Sequence, residues 1–237
     1  MVLGVWTRRS WIAAALAVGG LVPARAAGNA TILVLGDSLS AEYGLKRGNG
    51  WVALLEKRLA SEKISFQVVN ASVSGDTTSG GRSRLPTLLA QHKPQVVVIE
   101  LGGNDALRGL PLTGTEDNLA QMTQAAQKAG ARVLLVGMQV PPNYGSDYSS
   151  RFGSLFAKVA KANNAALVSF LLKGVADVDD PTRMFQSDRI HPKAEAHPQM
   201  LANVWPELRK LLDAAKPPSP GQAAARARTK AAGGPAK

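Results

Sequence analysis

Thr31-Ile32-Leu33-Val34-Leu35, followed at once by Gly36-Asp37-Ser38-Leu39-Ser40, decides the fold. A run of branched apolar residues with no polar residue alternating through it reads as a strand buried on both faces. Such strands belong to parallel sheets covered by helices on either side. Similar runs rich in Val, Ile and Leu recur at 65–69, 95–101, 132–138 and 166–171. Between them lie amphipathic stretches such as 51–63, where Trp51, Val52, Leu54, Leu55 and Leu59 make one face and Glu56, Lys57 and Arg58 the other. The order is βαβαβαβαβα. Right-handed crossovers then predict a three-layer α/β/α flavodoxin-like sandwich with a five-stranded parallel sheet, order 2-1-3-4-5.

Outward from this body the composition changes. The chain has 237 residues, 45% of them hydrophobic, which is enough for a real core. Its 28 Lys and Arg against 17 Asp and Glu give +11, a balance that suggests a nucleic-acid or membrane partner until its distribution is seen. Arg8, Arg9 and Arg25 precede residue 27, and Lys216, Arg226, Arg228, Lys230 and Lys237 follow residue 215, with no acid in either tail. The body keeps 20 basic and 17 acidic residues and offers no electrostatic case for binding DNA. There is no cysteine, which excludes disulfides, cysteine nucleophiles and thiolate metal sites.

Residues 1–26 read as an export signal: Arg8 and Arg9 precede an apolar run at 11–22, and Ala24-Arg25-Ala26 forms a small-x-small cleavage site. The run is too short to cross a hydrocarbon layer of about 30 Å. Thr7-Arg8-Arg9-Ser10-Trp11-Ile12 also resembles a twin-arginine signal. Residues 216–237 carry no large apolar side chain and read as a disordered basic tail. The expected organisation is therefore a signal at 1–26, one domain at 27–215 and a tail at 216–237.

Open parallel sheets bind ligands beyond the carboxyl ends of their strands, beside the switch in winding direction. The polar clusters lie there: Gly36-Asp37-Ser38 after strand 1, Asn70 to Asp76 after strand 2, Gly102-Gly103-Asn104-Asp105 after strand 3, and Asp188-Arg189-Ile190-His191 after strand 5. With order 2-1-3 the first three loops are neighbours. Ser38, in a tight turn near a helix start, is placed as a nucleophile, and a serine hydroxyl reacts only when a base removes its proton. Of the three histidines, His92 ends a helix far from these loops and His197 falls in the final helix. His191, ahead of Pro192, is held on a loop, and Asp188 can fold back within a turn to fix its tautomer.

Taken singly these features have plain readings too. A Gly-x-Ser turn can be structural, Asp-x-x-His can be a surface pair or half a metal site, and Asn104 can be a left-handed turn residue as well as an oxyanion donor alongside the N–H groups of Ser38 and Gly75. Their conjunction in chain order favours acyl transfer. Gly36-Asp37-Ser38-Leu39-Ser40, Gly75, Gly102-Gly103-Asn104-Asp105 and Asp188-x-x-His191 resemble the four blocks of the SGNH (GDSL) hydrolases, over roughly residues 30–213. Ala41-Glu42-Tyr43-Gly44-Leu45, Glu100 to Gly109, Pro142-Asn143-Tyr144-Gly145 and the stretch from Phe185 to Pro192 are similar to its bacterial periplasmic thioesterase I, lysophospholipase and arylesterase subgroup. The resemblance implies Ser38 as nucleophile, His191 as base, Asp188 as its orienter, and Ser38 N–H, Gly75 N–H and the Asn104 side chain as oxyanion donors. Arg189 departs from it, a bulky cation where the subgroup carries glycine.

The expected activity is hydrolysis of short-to-medium acyl esters and thioesters through an acyl-enzyme, in the periplasm or outside the cell. Leu107-Arg108-Gly109-Leu110-Pro111-Leu112, apolar at an exposed position, suits one wall of an acyl groove, with Arg108, Gly109, Leu110 and Pro111 touching substrate; a hydrophobic connection packed on the body is the plain alternative. A carbohydrate O-deacetylase uses the same triad and fold, and a non-catalytic envelope-binding protein is a more distant rival. A nucleotide binder is disfavoured, since no G-x-x-x-x-G-K-[ST] or G-x-G-x-x-G occurs. No cofactor, no metal, no nucleic-acid partner, a monomeric state and no stable membrane insertion after signal cleavage complete the expectation.

Overall fold

The computed structural model describes residues 30–215. The segments read above as an export signal, 1–26, and a disordered tail, 216–237, lie outside the described residues. Five strands, β1 (Ala30–Gly36), β2 (Phe66–Asn70), β3 (Val96–Glu100), β4 (Arg132–Val136) and β5 (Ala166–Val168), form one parallel sheet in the order β2-β1-β3-β4-β5. The helices are α1 (Trp51–Ser61), α2 (Thr78–His92), α3 (Gly103–Leu107), α4 (Leu112–Lys128), α5 (Ser146–Ala162) and α6 (His197–Ala215). The chain moves from β1 to β2 in one direction and from β2 through β3 and β4 to β5 in the other. Right-handed crossovers therefore place α1 on one face and α2, α4 and α5 on the other. Accordingly α1 packs on α6, α2 on α4, and α4 on α5.

The central strands β1, β3 and β4 are almost wholly buried, which is why their sequences are continuous apolar runs. β2 differs: as an edge strand it is only half-buried, and Gln67 and Asn70 face solvent. β5 is shorter than the apolar run at 166–171 suggests. The chain crowds β4 here, since a Cβ on Gly137 would lie 2.5 Å from the Ser169 carbonyl oxygen, and residues 169–171 leave the strand. Leu171 N–H still reaches Gly137 O at 2.9 Å and Phe170 and Leu171 stay buried, so the apolar run outlasts the regular ladder.

The register aligns the strand ends. Gly36 pairs with Glu100, so the loops after β1 and β3 leave the sheet at one level, while β2 ends beside Val34 and its loop follows β1 upward, with Val73 N–H on Gly36 O at 3.0 Å. Asp105, 2% exposed in α3, ties the end of the β2 loop to the β3 loop. Its carboxyl accepts the Thr78 backbone N–H at 2.9 Å, the Thr78 hydroxyl, and the Thr115 hydroxyl at 3.3 Å, joining α3 to the start of α2 and to α4. An acceptor at the first turn of α2 also suits the helix dipole. Asp105→Ala strands these buried donors, and the expected loss is about 3 kcal/mol of stability. An unchanged thermal midpoint would show that the loop cluster does not depend on this carboxyl.

Candidate active site

The turn that carries Ser38 is built by its own neighbours. Asp37 O accepts the N–H groups of Ser40 at 3.2 Å and Ala41 at 2.9 Å, and Asp37 Oδ1 accepts Leu39 N–H at 3.0 Å. The chain therefore reverses within one turn of leaving β1, and the Ser38 side chain stands half-exposed at the strand end.

His191 arrives from the far end of the sequence on a clamped loop. Phe185 bridges to Pro192, Gln186 N–H donates to His191 O at 2.8 Å, and Lys193 N–H to Met184 O at 2.8 Å. At its tip the Asp188 carboxylate folds back: Oδ1 accepts Ile190 N–H at 2.9 Å and His191 N–H at 3.0 Å, and Oδ2 lies 2.7 Å from His191 Nδ1. Desolvation pushes the Asp188 carboxyl up. The two backbone N–H groups and the imidazole outweigh it and bring the pKa down to about 2. An anion facing Nδ1 keeps the ring proton there, which turns the Nε2 lone pair toward Ser38. Nε2 is 2.9 Å from Ser38 Oγ. Ser38, His191 and Asp188 thus form one hydrogen-bonded relay, the geometry by which a neutral imidazole removes a hydroxyl proton.

The departure at Arg189 has a backbone cause. Its φ is +58°, in the left-handed region that glycine occupies without strain, and its N–H closes the turn on Gln186 O at 3.0 Å. The clamp around the loop holds the arginine there.

Two backbone donors lie on the loops after β1 and β2. Among the described residues, neither Ser38 N–H nor Gly75 N–H has a protein acceptor. Gly75 adopts φ +80°, and its carbonyl is pinned by Arg108 Nη2 at 2.7 Å, which ties the β2 loop to the β3 loop. Asn104 joins them at the start of α3, but its amide is engaged: Nδ2 donates to Asp37 Oδ2 and to Asp76 O, both at 3.0 Å. It can serve a negative oxygen only by sharing one of these hydrogens.

The loop after α3 divides. Leu112 begins α4 and packs against the core, whereas Leu107 and Leu110 remain 48% and 38% exposed and Arg108, Gly109 and Pro111 are open to solvent. Tyr43, Val73 and Ile190 are also exposed apolar side chains, and each belongs to a loop that carries a member of the site. Exposed apolar side chains therefore occur on several of the loops that carry the site.

Three further neighbours fall within the sequence blocks quoted above without a catalytic role of their own. The Tyr43 ring lies over the His191 imidazole, centroids 4.2 Å apart, and Gln186 Nε2 holds the loop in place through Tyr43 O at 3.0 Å. Burial raises the Asp37 carboxyl to about 6, against the pull of Leu39 N–H, the charge of His191 and the Asn104 amide. Glu100, at the end of an apolar strand, is the one of the three that a sequence could have flagged, because an acid buried there needs a reason.

The sequence comparisons agree with this geometry. The model of the GDSL-like lipase/acylhydrolase family matches residues 34–198. The chain is 54% identical over 182 residues to esterase TesA of Pseudomonas aeruginosa, covering 77% of this chain and 89% of that protein. It is 42% identical over 193 residues to thioesterase 1/protease 1/lysophospholipase L1 of Escherichia coli, covering 81% and 90%. A crystal structure of TesA superposes with a TM-score of 0.73 at 54% identity, over 76% of this chain and 99% of the other. With the family model spanning residues 34–198 and relatives 42% to 54% identical over most of their length, the chain belongs to the GDSL-like lipase/acylhydrolase family.

Proposed function

We propose that the protein is a serine hydrolase that cleaves short-to-medium acyl esters and thioesters through an acyl-enzyme. The observation that carries this reading is the unbroken relay Asp188 Oδ2, His191 Nδ1, His191 Nε2, Ser38 Oγ, together with Ser38 N–H and Gly75 N–H groups that have no protein acceptor among the described residues. Ser38 Oγ attacks the acyl carbonyl while His191 Nε2 takes its proton. The carbonyl oxygen becomes an oxyanion facing Ser38 N–H, Gly75 N–H and the Asn104 amide. Collapse breaks the bond to the leaving alcohol or thiol, which receives the proton from His191. Water then repeats the sequence on the Ser38 ester, giving the carboxylic acid and free enzyme. The relatives named for esterase, thioesterase and lysophospholipase activities support the same class of bond.

The exposed apolar side chains on these loops support an acyl chain rather than a sugar as the part of the substrate that is held, with Arg108, Gly109, Leu110 and Pro111 along one wall. The testing experiment is a panel of nitrophenyl and coenzyme A esters from two to sixteen carbons, with an acetylated xylan beside them. Turnover of the xylan alone would overturn the assignment. Leu110→Ser is expected to lower kcat/KM for octanoyl esters through the loss of about 0.8 kcal/mol for each methylene no longer covered, and to leave acetyl esters nearly unchanged. An equal loss on both would remove Leu110 from the acyl wall.

The reading includes export as a monomer. No described helix is long and apolar enough to cross a membrane, and the chain ahead of residue 27 has the charge, apolar run and small-residue site of a cleaved leader. The mature protein is expected to begin at Ala27. Intact-mass measurement of the envelope fraction checks this, and recovery of Met1 on the mature protein rejects it.

A further inference from the structure

β3 ends in a residue that acyl transfer does not use. Val96, Val97, Val98 and Ile99 are buried apolar side chains, and the next residue, Glu100, is also 0% exposed. A leucine here would continue the core, whereas a buried acid carries a desolvation cost that some interaction has to offset. Its oxygens are used unequally. Oε2 accepts the Ser40 hydroxyl at 2.7 Å and the Asp37 backbone N–H at 3.4 Å, and Oε1 has no protein partner among the described residues. Burial first, and then the negative charge of Asp37, raise its pKa well above the usual carboxyl range. Burial and the neighbouring Asp37 carboxyl thus both disfavour a second negative charge at the end of β3.

What this carboxyl holds is the turn around Ser38. Asp37 precedes the serine and Ser40 follows it by two residues. The Ser40 hydroxyl also accepts the Trp51 indole N–H at 3.1 Å, so the turn is tied to α1 as well as to β3. Asp37 in turn accepts the Asn104 amide through Oδ2 at 3.0 Å. The fit is tight: a Cβ on Gly36 would lie 2.7 Å from Ser40 Oγ and 2.9 Å from Glu100 Oε2, so only glycine lets the strand end rest on this pair.

We propose that Glu100 is a positioning residue for the oxyanion hole, holding Asp37 and Ser40 so that the Ser38 N–H and, through Asp37, the Asn104 amide converge on one point. The proposal rests on the acyl-transfer reading above. It differs from a merely structural role in what it predicts. An anchor of the core changes stability, whereas a residue that aims donors at a developing charge changes kcat and leaves KM alone.

The test compares Glu100→Gln, Glu100→Met and Ser40→Ala on nitrophenyl butyrate, each also titrated with a reactive alkylphosphonate that labels the serine. Glu100→Gln keeps the carbonyl acceptor and cannot ionise. It is expected to keep kcat within about three-fold of the wild type. Glu100→Met fills the volume without an acceptor, and is expected to lower kcat and the rate of phosphonylation together by about ten- to hundred-fold at unchanged KM. Ser40→Ala removes one of the two bonds and leaves Glu100 in the core, so it reports even if the methionine variant fails to fold. Its kcat is expected to fall by about three- to ten-fold. Wild-type kcat in folded Ser40→Ala, or in folded Glu100→Met, overturns the proposal. A glutamine variant as impaired as the methionine variant also overturns it, because the acceptor would then not be what matters. Wild-type enzyme that is not labelled at Ser38 points instead to failure of the acyl-transfer reading.

Discussion

Ser38→Ala is expected to form no acyl-enzyme and to lose turnover by about a million-fold, with His191→Ala nearly as damaged. The reason is the single path a proton can take. Ser38 Oγ has His191 Nε2 at 2.9 Å as its base, and removing either end leaves only binding and the backbone donors to speed the reaction. Asp188→Asn is expected to lose less, about ten-thousand-fold in kcat. Its side-chain oxygen can still accept Ile190 N–H and His191 N–H and keep the loop tip folded. What it cannot keep is an anion opposite Nδ1. The amide at that position either donates to the ring, which puts the proton on Nε2 and blocks the base, or presents a neutral oxygen that stabilises imidazolium poorly. The pH profile separates the effects. With a pKa of about 2, Asp188 is ionised throughout the neutral range, so any acid limb near neutrality belongs to other groups. Its depressed pKa also makes a stabilising contribution that is present above its unfolded pKa of about 3.9 and lost as pH falls toward 2. Burst kinetics with nitrophenyl acetate check the ranking. A full burst from Ser38→Ala would end the nucleophile assignment.

Why the sheet was legible and parts of the site were not follows from the range of the interactions. A central parallel strand is dictated by burial on both faces, and burial is written residue by residue in β1, β3 and β4. Strand order followed from crossover handedness and the run of alternating elements. The end of β5 was not legible, because Phe170 and Leu171 stay buried beyond it, and where the regular ladder stops depends on how closely Gly137 and Ser169 approach. α3 was hidden for a different reason: it is five residues long and sits inside a glycine-rich block that reads as loop. Asp188 and His191 were legible because they are three apart and meet within a turn. Tyr43 over His191, and Asp37 with Glu100 under the nucleophile turn, are contacts between loops distant in sequence, set only once the register brings Gly36 beside Glu100.

Asn104→Ala is expected to lower kcat by about a hundred- to thousand-fold with KM nearly unchanged, since a donor to an oxyanion strengthens only as the charge develops. The structure makes this more demanding than a simple deletion. Asn104 Nδ2 already donates to Asp37 Oδ2 and Asp76 O, so its hydrogens are not waiting for substrate. A neutral ester carbonyl cannot compete with a carboxylate for one of them, but an oxyanion can, and the amide's contribution is thereby concentrated in the transition state. The same bonds imply a second effect: the alanine variant strands the Asp76 carbonyl and one acceptor site on Asp37, which is expected to cost about 1–3 kcal/mol of stability. The two effects are separable because only the folded fraction reacts with an active-site phosphonate. Turnover is therefore referred to titrated sites, and stability is read from thermal unfolding. A turn residue would lose stability and keep normal turnover per titrated site, and that result would remove Asn104 from the oxyanion hole. A rise in KM matching the fall in kcat/KM would assign it to substrate binding instead. Asn104→Asp sharpens the comparison: it nearly preserves shape but sets a second carboxyl against Asp37 and offers no amide hydrogen, so its kcat is expected to fall at least as far as that of the alanine variant.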